Sequence, residues 1–289
     1  MNHHYIRRSG HGAEFSVDID ASTSTESVNY FEASKVAAGM VFDLYNHDPL
    51  YLMYSGGIDS EYTLTLFRHL GIPITPVIVR LLPDYNAHDI AYAVRYCQQR
   101  NIEPTFIDID YDQFVESGLM YETAVGMRSA KFQYAATAHA IGQLDGVVLC
   151  GDGEPYTRLD PATGRWNFMV HEYEYALTNY YINNRIPGTP HFNRFTKEMF
   201  YGFLQDARMQ DLANNLVPGK TSSFSSKWIV YNRNNSFNLE ERPKYHGYEG
   251  IETRPIYQHE SFRALETIGQ QWDGVYSEDY FEFLQRCAQ

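Results

Sequence analysis

The sequence predicts an α/β fold built on a parallel sheet, with a mainly helical region after it. Three observations carry this. Apolar runs at 50–54, 74–82, 104–108 and 146–150 alternate with segments of helical period, the pattern of βαβ units with right-handed crossovers. The first run ends in Ser55-Gly56-Gly57-Ile58-Asp59-Ser60, a glycine turn followed directly by a helix-like segment. The chain has 289 residues, 44% hydrophobic and 20% charged, enough for a sizeable core in one or two domains.

The elements follow in order. Residues 1–20 read as a lead with one short alternating strand over 13–20. Ser22 to Thr25 offer N-caps for a helix through Tyr45, with Val28, Phe31, Val36, Met40 and Leu44 among its apolar positions. After the strand at 50–54, a helix over 61–70 stops at Gly71, with Pro73 beyond. A strand at 74–82 leads to Asp84 or Asn86, either of which caps a helix through Ala91, Val94 and Cys97 to Arg100. A strand at 104–108, helical patterns over 111–121 and 128–142 and a strand at 146–150 complete this part. Residues 156–289 are aromatic-rich and read mainly helical, as at 172–182 and 196–216. The expected organisation is a lead and helix (1–48), a core (49–155) and a C-terminal substrate region (156–289).

Charge and cysteines narrow the classes. A net charge of −13 argues against wide contact with a nucleic-acid backbone. No apolar run reaches the roughly 18 residues needed to span a bilayer. Cys97, Cys150 and Cys287 lie far apart and form neither a CxxC motif nor a disulfide framework. A cytoplasmic location is expected.

The loop at 55–60 carries the chemistry. Its two glycines let the backbone approach a ligand and turn N–H groups inward. Ser55, Ser60 and the helix N-terminus add donors and the positive end of a dipole. Such a loop suits pyrophosphate. Asp59 would repel that ligand unless a cation lies between them, so the loop implies Mg²⁺. The residues Ser55-Gly56-Gly57-Ile58-Asp59-Ser60 match the Ser-Gly-Gly-x-Asp-Ser signature at every defined position, and the chain thereby resembles the PP-loop ATP pyrophosphatases. The resemblance implies a Rossmann-like (HUP-type) core and cleavage of ATP between the α and β phosphates. It also implies an adenylated substrate that a nucleophile, often ammonia, then attacks.

A second signal follows the strand at 146–150. In Gly151-Asp152-Gly153-Glu154, glycine admits a nucleotide, and Asp152 or Glu154 can hold Mg²⁺ opposite Asp59. Paired with the first loop, it is similar to the second nucleotide motif of asparagine synthetase, Gly-Glu-Gly-x-Asp-Glu. This chain departs from it at Pro155 and Tyr156. The segment Gly250-Ile-Glu252-Thr-Arg254-Pro255 resembles that family's Glu-x-Arg-x-Pro stretch, with the proline displaced. The overall likeness to its synthetase domain spans about residues 28–155, with a second stretch over 240–257. The family's glutaminase nucleophile is missing, since position 2 is Asn2. Ammonia would then come from solution or another subunit, or a different amine would serve.

The resemblance implies an AMP-forming ligase that uses ATP and Mg²⁺. It would adenylate a small-molecule carboxylate or amide oxygen, and ammonia or an amine would follow. In that scheme Ser55, Gly56, Gly57 and Ser60 hold phosphates, and adenine lies against main chain at Val79 and Gly151. Asp59 with Asp152 or Glu154 holds the metal, and Arg128, Lys131, Lys244 and Arg254 are candidates for the cation that offsets remaining charge. Two other readings stay open: a PP-loop enzyme acting on a nucleobase in RNA or a nucleotide, and an ATP-binding module without turnover.

Overall fold

The computed structural model describes residues 6–8, 15–17, 29–45, 48–160, 162–171, 175–205, 223–240, 245, 247–269 and 275–287. At the start, β1 (Ile6–Arg8) and β2 (Phe15–Val17) pair antiparallel. Helix α1 spans Tyr30–Leu44, and its N-cap is Asn29, whose side chain accepts from the Phe31 N–H at 2.8 Å. The caps expected at Ser22 to Thr25, and Val28, lie outside the described residues. Val36, Met40 and Leu44 form an exposed row. The buried face of α1 is instead built on Ala33, Ser34, Ala37, Ala38 and Val41, small residues that let a helix approach its neighbours closely.

The core sheet follows. Its members are β3 (Leu50–Met53), β4 (Thr75–Leu82), β5 (Thr105–Asp110) and β6 (Val147–Cys150). Between them run α2 (Ile58–His69), α3 (Ala87–Gln99), α4 (Tyr111–Glu116), α5 (Leu119–Gly126) and α6 (Phe132–Ile141). A fifth strand, β9 (Gly188–Thr189), joins beside β6. The order is β5-β4-β3-β6-β9, and all pairings are parallel. This is the Rossmann-like core that the sequence predicts.

Strand periodicity sorts side chains onto two faces. Leu52, Ile78, Val147 and Leu149 enter one core, with α1 and α2. Met53, Val77, Leu81, Val148 and Cys150 enter the other, with α4 to α6. The chain leaves β3 toward β4 and β5, then returns to place β6 on the far side of β3. A crevice therefore opens beyond the C-terminal ends of β3 and β6, where ligands bind in open α/β sheets.

The C-terminal region is helical as expected: α7 (Tyr175–Asn184), α8 (Lys197–Gln205), α9 (Ser223–Asn232), α10 (Glu249–Glu252), α11 (Glu260–Gly269) and α12 (Tyr280–Cys287). It also contains a sheet that the sequence reading did not anticipate. Here β7 (Tyr156–Leu159), β8 (Trp166–His171) and β10 (Val275–Asp279) form an antiparallel sheet in the order β10-β8-β7. Its third strand lies more than a hundred residues from β8, so no local hairpin pattern announces it. The helix expected over 196–216 is described as far as Gln205.

Candidate active site at the strand ends

The loop after β3 is held by its own polar atoms. The Gly57 N–H donates to Ser55 Oγ at 3.2 Å, and Ser60 Oγ donates to the Gly57 carbonyl at 3.0 Å. Gly56 sits at φ +86°, and a Cβ there would lie 2.7 Å from the Ala93 nitrogen of α3. Conformation and contact both demand glycine. The first turn of α2 then points its N–H groups into the crevice without intrahelical partners, a ready anion site.

The segment after β6 packs directly on that turn. A Cβ on Gly151 would come within 2.6 Å of Ser60 Cα. Gly153, at φ +107°, lies against His191. The two glycine segments thus fit edge to edge. A cavity of about 330 Å³ opens above them, within the range of small-molecule sites. Its lining includes Ser55, Gly56, Gly57, Asp59, Ser60, Val79, Gly151 and Asp152.

The C-terminal region contributes what the sequence reading missed. Lys227 on α9 is buried and donates to Asp59 Oδ2 at 3.0 Å, and it also pairs with Glu154. One turn later, Tyr231 Oη donates to Asp59 Oδ1 at 2.8 Å. Asn193 donates through Nδ2 to Tyr231 Oη at 3.0 Å and to the Gly151 carbonyl. The Tyr231 ring stacks on Tyr62 of α2 at 4.6 Å between centroids. Asp59 is thereby fixed on both oxygens. Burial lowers the Lys227 pKa, but Asp59 and Glu154 more than reverse this and hold it above the ordinary lysine value. Lys227 stays charged. The one signal in the sequence was the i,i+4 spacing of Lys227 and Tyr231, which shares a helix face but names no partner 170 residues away.

The expected site residues divide accordingly. Asp152 lines the cavity and pairs with His191 Nδ1 at 3.1 Å. Burial pushes its carboxyl up, but His191, Arg194 and Lys227 together bring it below the usual range. Glu154 is buried against Lys227 and does not line the cavity. Of the two acids after β6, Asp152 is the one that faces the crevice. Of the four candidate cations, three do not line the cavity. Arg128 and Lys131 are exposed in the turn between α5 and α6 and do not line the cavity. Arg254 reaches Asp84 at 3.3 Å on the surface, and Lys244 lies outside the described residues. The stretch at 245–248 does form a cavity wall, through Tyr245, Gly247 and Tyr248.

At the apolar end, Asn86 joins two points of β4. It donates to the Val79 carbonyl at 2.9 Å and accepts from the Leu81 N–H at 2.9 Å. Burial pushes the Cys97 thiol up to about 11 and raises Cys150 as well. Both stay protonated and unreactive at neutral pH, in keeping with a site that does not rely on cysteine.

No family model and no curated protein matches the chain. Among solved structures, it is similar to one described as a predicted subunit of tRNA methyltransferase from Methanocaldococcus jannaschii. The identity is 11% and the TM-score 0.31, over 63% of this chain and 85% of that one. A likeness at that level carries no functional argument. Among the described residues, no helix is long and apolar enough to cross a membrane.

Proposed function

We propose that the chain is an ATP-dependent, AMP-forming enzyme of the PP-loop type that adenylates a carboxylate or amide oxygen and passes the product to an amine. The observation that carries this is the placement of Ser55 to Ser60. Backbone N–H groups, two serines and a helix N-terminus meet at the strand-order reversal, with the Asp59 side chain clamped by Lys227 and Tyr231. The loop would hold the β and γ phosphates. Lys227 would take the part of the offsetting cation that the sequence reading sought elsewhere.

The donors suit Mg²⁺. The cavity lining carries three acids, Asp59, Asp89 and Asp152, against one lysine, so a bare triphosphate would be repelled. Among the described residues no three His, Cys, Asp or Glu side chains cluster as a complete cage. Magnesium bound with a nucleotide typically takes one or two carboxylates and fills its shell from phosphates and water. Asp59 and Asp152 would hold it, and when bound it would neutralise charge on the α and β phosphates.

A substrate oxygen would attack the α phosphorus in line, and pyrophosphate would leave with the bonding electrons. The amine would then form a bond to the activated carbon, AMP would leave and the amine's extra proton would pass to water. Positioning and charge neutralisation would supply most of the acceleration. The test is product analysis from ATP and Mg²⁺ across carboxylates, amides and nucleosides, with ammonia or amines present. AMP with pyrophosphate, dependent on one substrate, supports the reading and identifies that substrate. ADP with phosphate rejects it.

A further inference from the structure

Of the three acids that line the cavity, Asp89 is the one given no ligand above. Asp89 lies in the first turn of α3 and lines the cavity together with Tyr92, Tyr245, Gly247 and Tyr248. Four residues on, Ala93 is the residue that packs on Gly56. Residues i and i+4 share a helix face, so Asp89 stands on the side of the glycine loop, about 6 Å along α3 from Ala93. Gly247, at φ +80°, covers the carboxylate, and a Cβ there would sit 2.8 Å from Asp89 Oδ2. Among the described residues, no hydrogen bond or ion pair engages the Asp89 side chain. Its neighbours His88 and Glu249 are paired with each other at 3.0 Å.

Beside this acid the cavity lining carries Tyr92, Tyr245 and Tyr248, with Arg95 already over the Tyr92 ring at 5.4 Å, and the set suits one class of ligand. The carboxylate supplies charge, and ring faces attract a cation. A phosphate or carboxylate ligand would be repelled there. We propose that Asp89 with Tyr92, Tyr245 and Tyr248 forms the subsite for the ammonium group of a primary amine, beside the phosphate loop. This rests on the adenylating reading for its role, which makes the amine the second substrate; the bound ammonium would first release one proton to water so that its nitrogen can attack the activated carbon. Burial raises the Asp89 carboxyl to about 6, with His88 opposing and Glu249 adding to the rise. Ionised above that pH and neutral below it, Asp89 should hold an alkylammonium ion at pH 7.5 and release it as the pH falls through about 6.

The test uses n-propylammonium and its neutral counterpart n-propanol, titrated into the full chain at pH 7.5 and followed by ligand-observed NMR. ATP affinity is measured in parallel. The expected result is an ammonium preference of about tenfold or more, equivalent to about 1.4 kcal/mol. That preference should vanish in Asp89→Asn and below pH 6, while Asp89→Asn keeps its affinity for ATP. Equal binding of the two probes, or a preference that survives in Asp89→Asn, overturns the proposal. A loss of ATP affinity in Asp89→Asn also overturns it, because the acid would then belong to the nucleotide. If the unaltered chain fails to bind ATP yet keeps the ammonium preference, the adenylating reading falls and the subsite stands.

Discussion

The two halves of the site are built in opposite ways. The glycine loop, proposed to hold phosphates, is local and made of backbone: six consecutive residues, two glycines and a helix N-terminus. The clamp on Asp59 is distant and made of side chains, with Lys227 and Tyr231 reaching it across 168 and 172 residues. Backbone geometry is set by nearest neighbours, so a short motif can announce it. A side-chain clamp is set by how two remote segments pack, and no short motif announces that.

Substitutions should separate the halves. The largest effect is expected from Lys227→Met. It leaves Asp59 and Glu154 without their shared cation, and breaking a buried pair costs about 3–5 kcal/mol. The urea midpoint should drop accordingly; an unchanged midpoint would mean that the clamp contributes nothing to the fold. Gly56→Ala comes next. A positive φ and a Cβ against Ala93 predict a loss of about 1–3 kcal/mol, together with loss of ATP binding by calorimetry. Retained nucleotide affinity in that variant would separate the loop from the site.

Tyr231→Phe should cost less, about 1–2 kcal/mol, because it removes one donor to Asp59 and one acceptor for Asn193 while keeping the ring on Tyr62. The smallest effect is a pH dependence. The folded pKa of Asp152 is depressed, so its contribution is present above the unfolded value, near 3.9, and fades as the pH falls through the lower folded value. Urea midpoints between pH 6 and 3 should show that acid-side loss in the unaltered chain, and less of it in Asp152→Asn. Parallel curves would place the stabilising charge elsewhere.

The same contrast explains what the sequence disclosed. The four strands from 50 to 150 were legible as short apolar or alternating runs, and helices such as α2 had their own stop at Gly71, but the helical pattern over 111–121 is broken at Gly118, φ +80°, into α4 and α5. In the antiparallel sheet, β10 was not legible because it joins β8 across the C-terminal region, and the β7–β8 hairpin, though local, fell in a stretch read as mainly helical. Arg128 and Lys131 attracted attention as cations near the core in sequence. They are exposed in the turn between α5 and α6. Lys227 is buried because two carboxylates meet it, a fact that no single segment contains.

The clamp also fixes when the protein can work during its own synthesis. A ribosome delivers the phosphate loop early, and domains tend to fold from the N-terminal end as they emerge. The partners of Asp59, Lys227 and Tyr231, are made about 170 residues later. Closing so long a loop is slow and comes after local structure has formed. A nascent chain ending before residue 227 would carry the glycine loop with an unclamped Asp59, and on the adenylating reading ATP turnover would wait until residue 231 has been made.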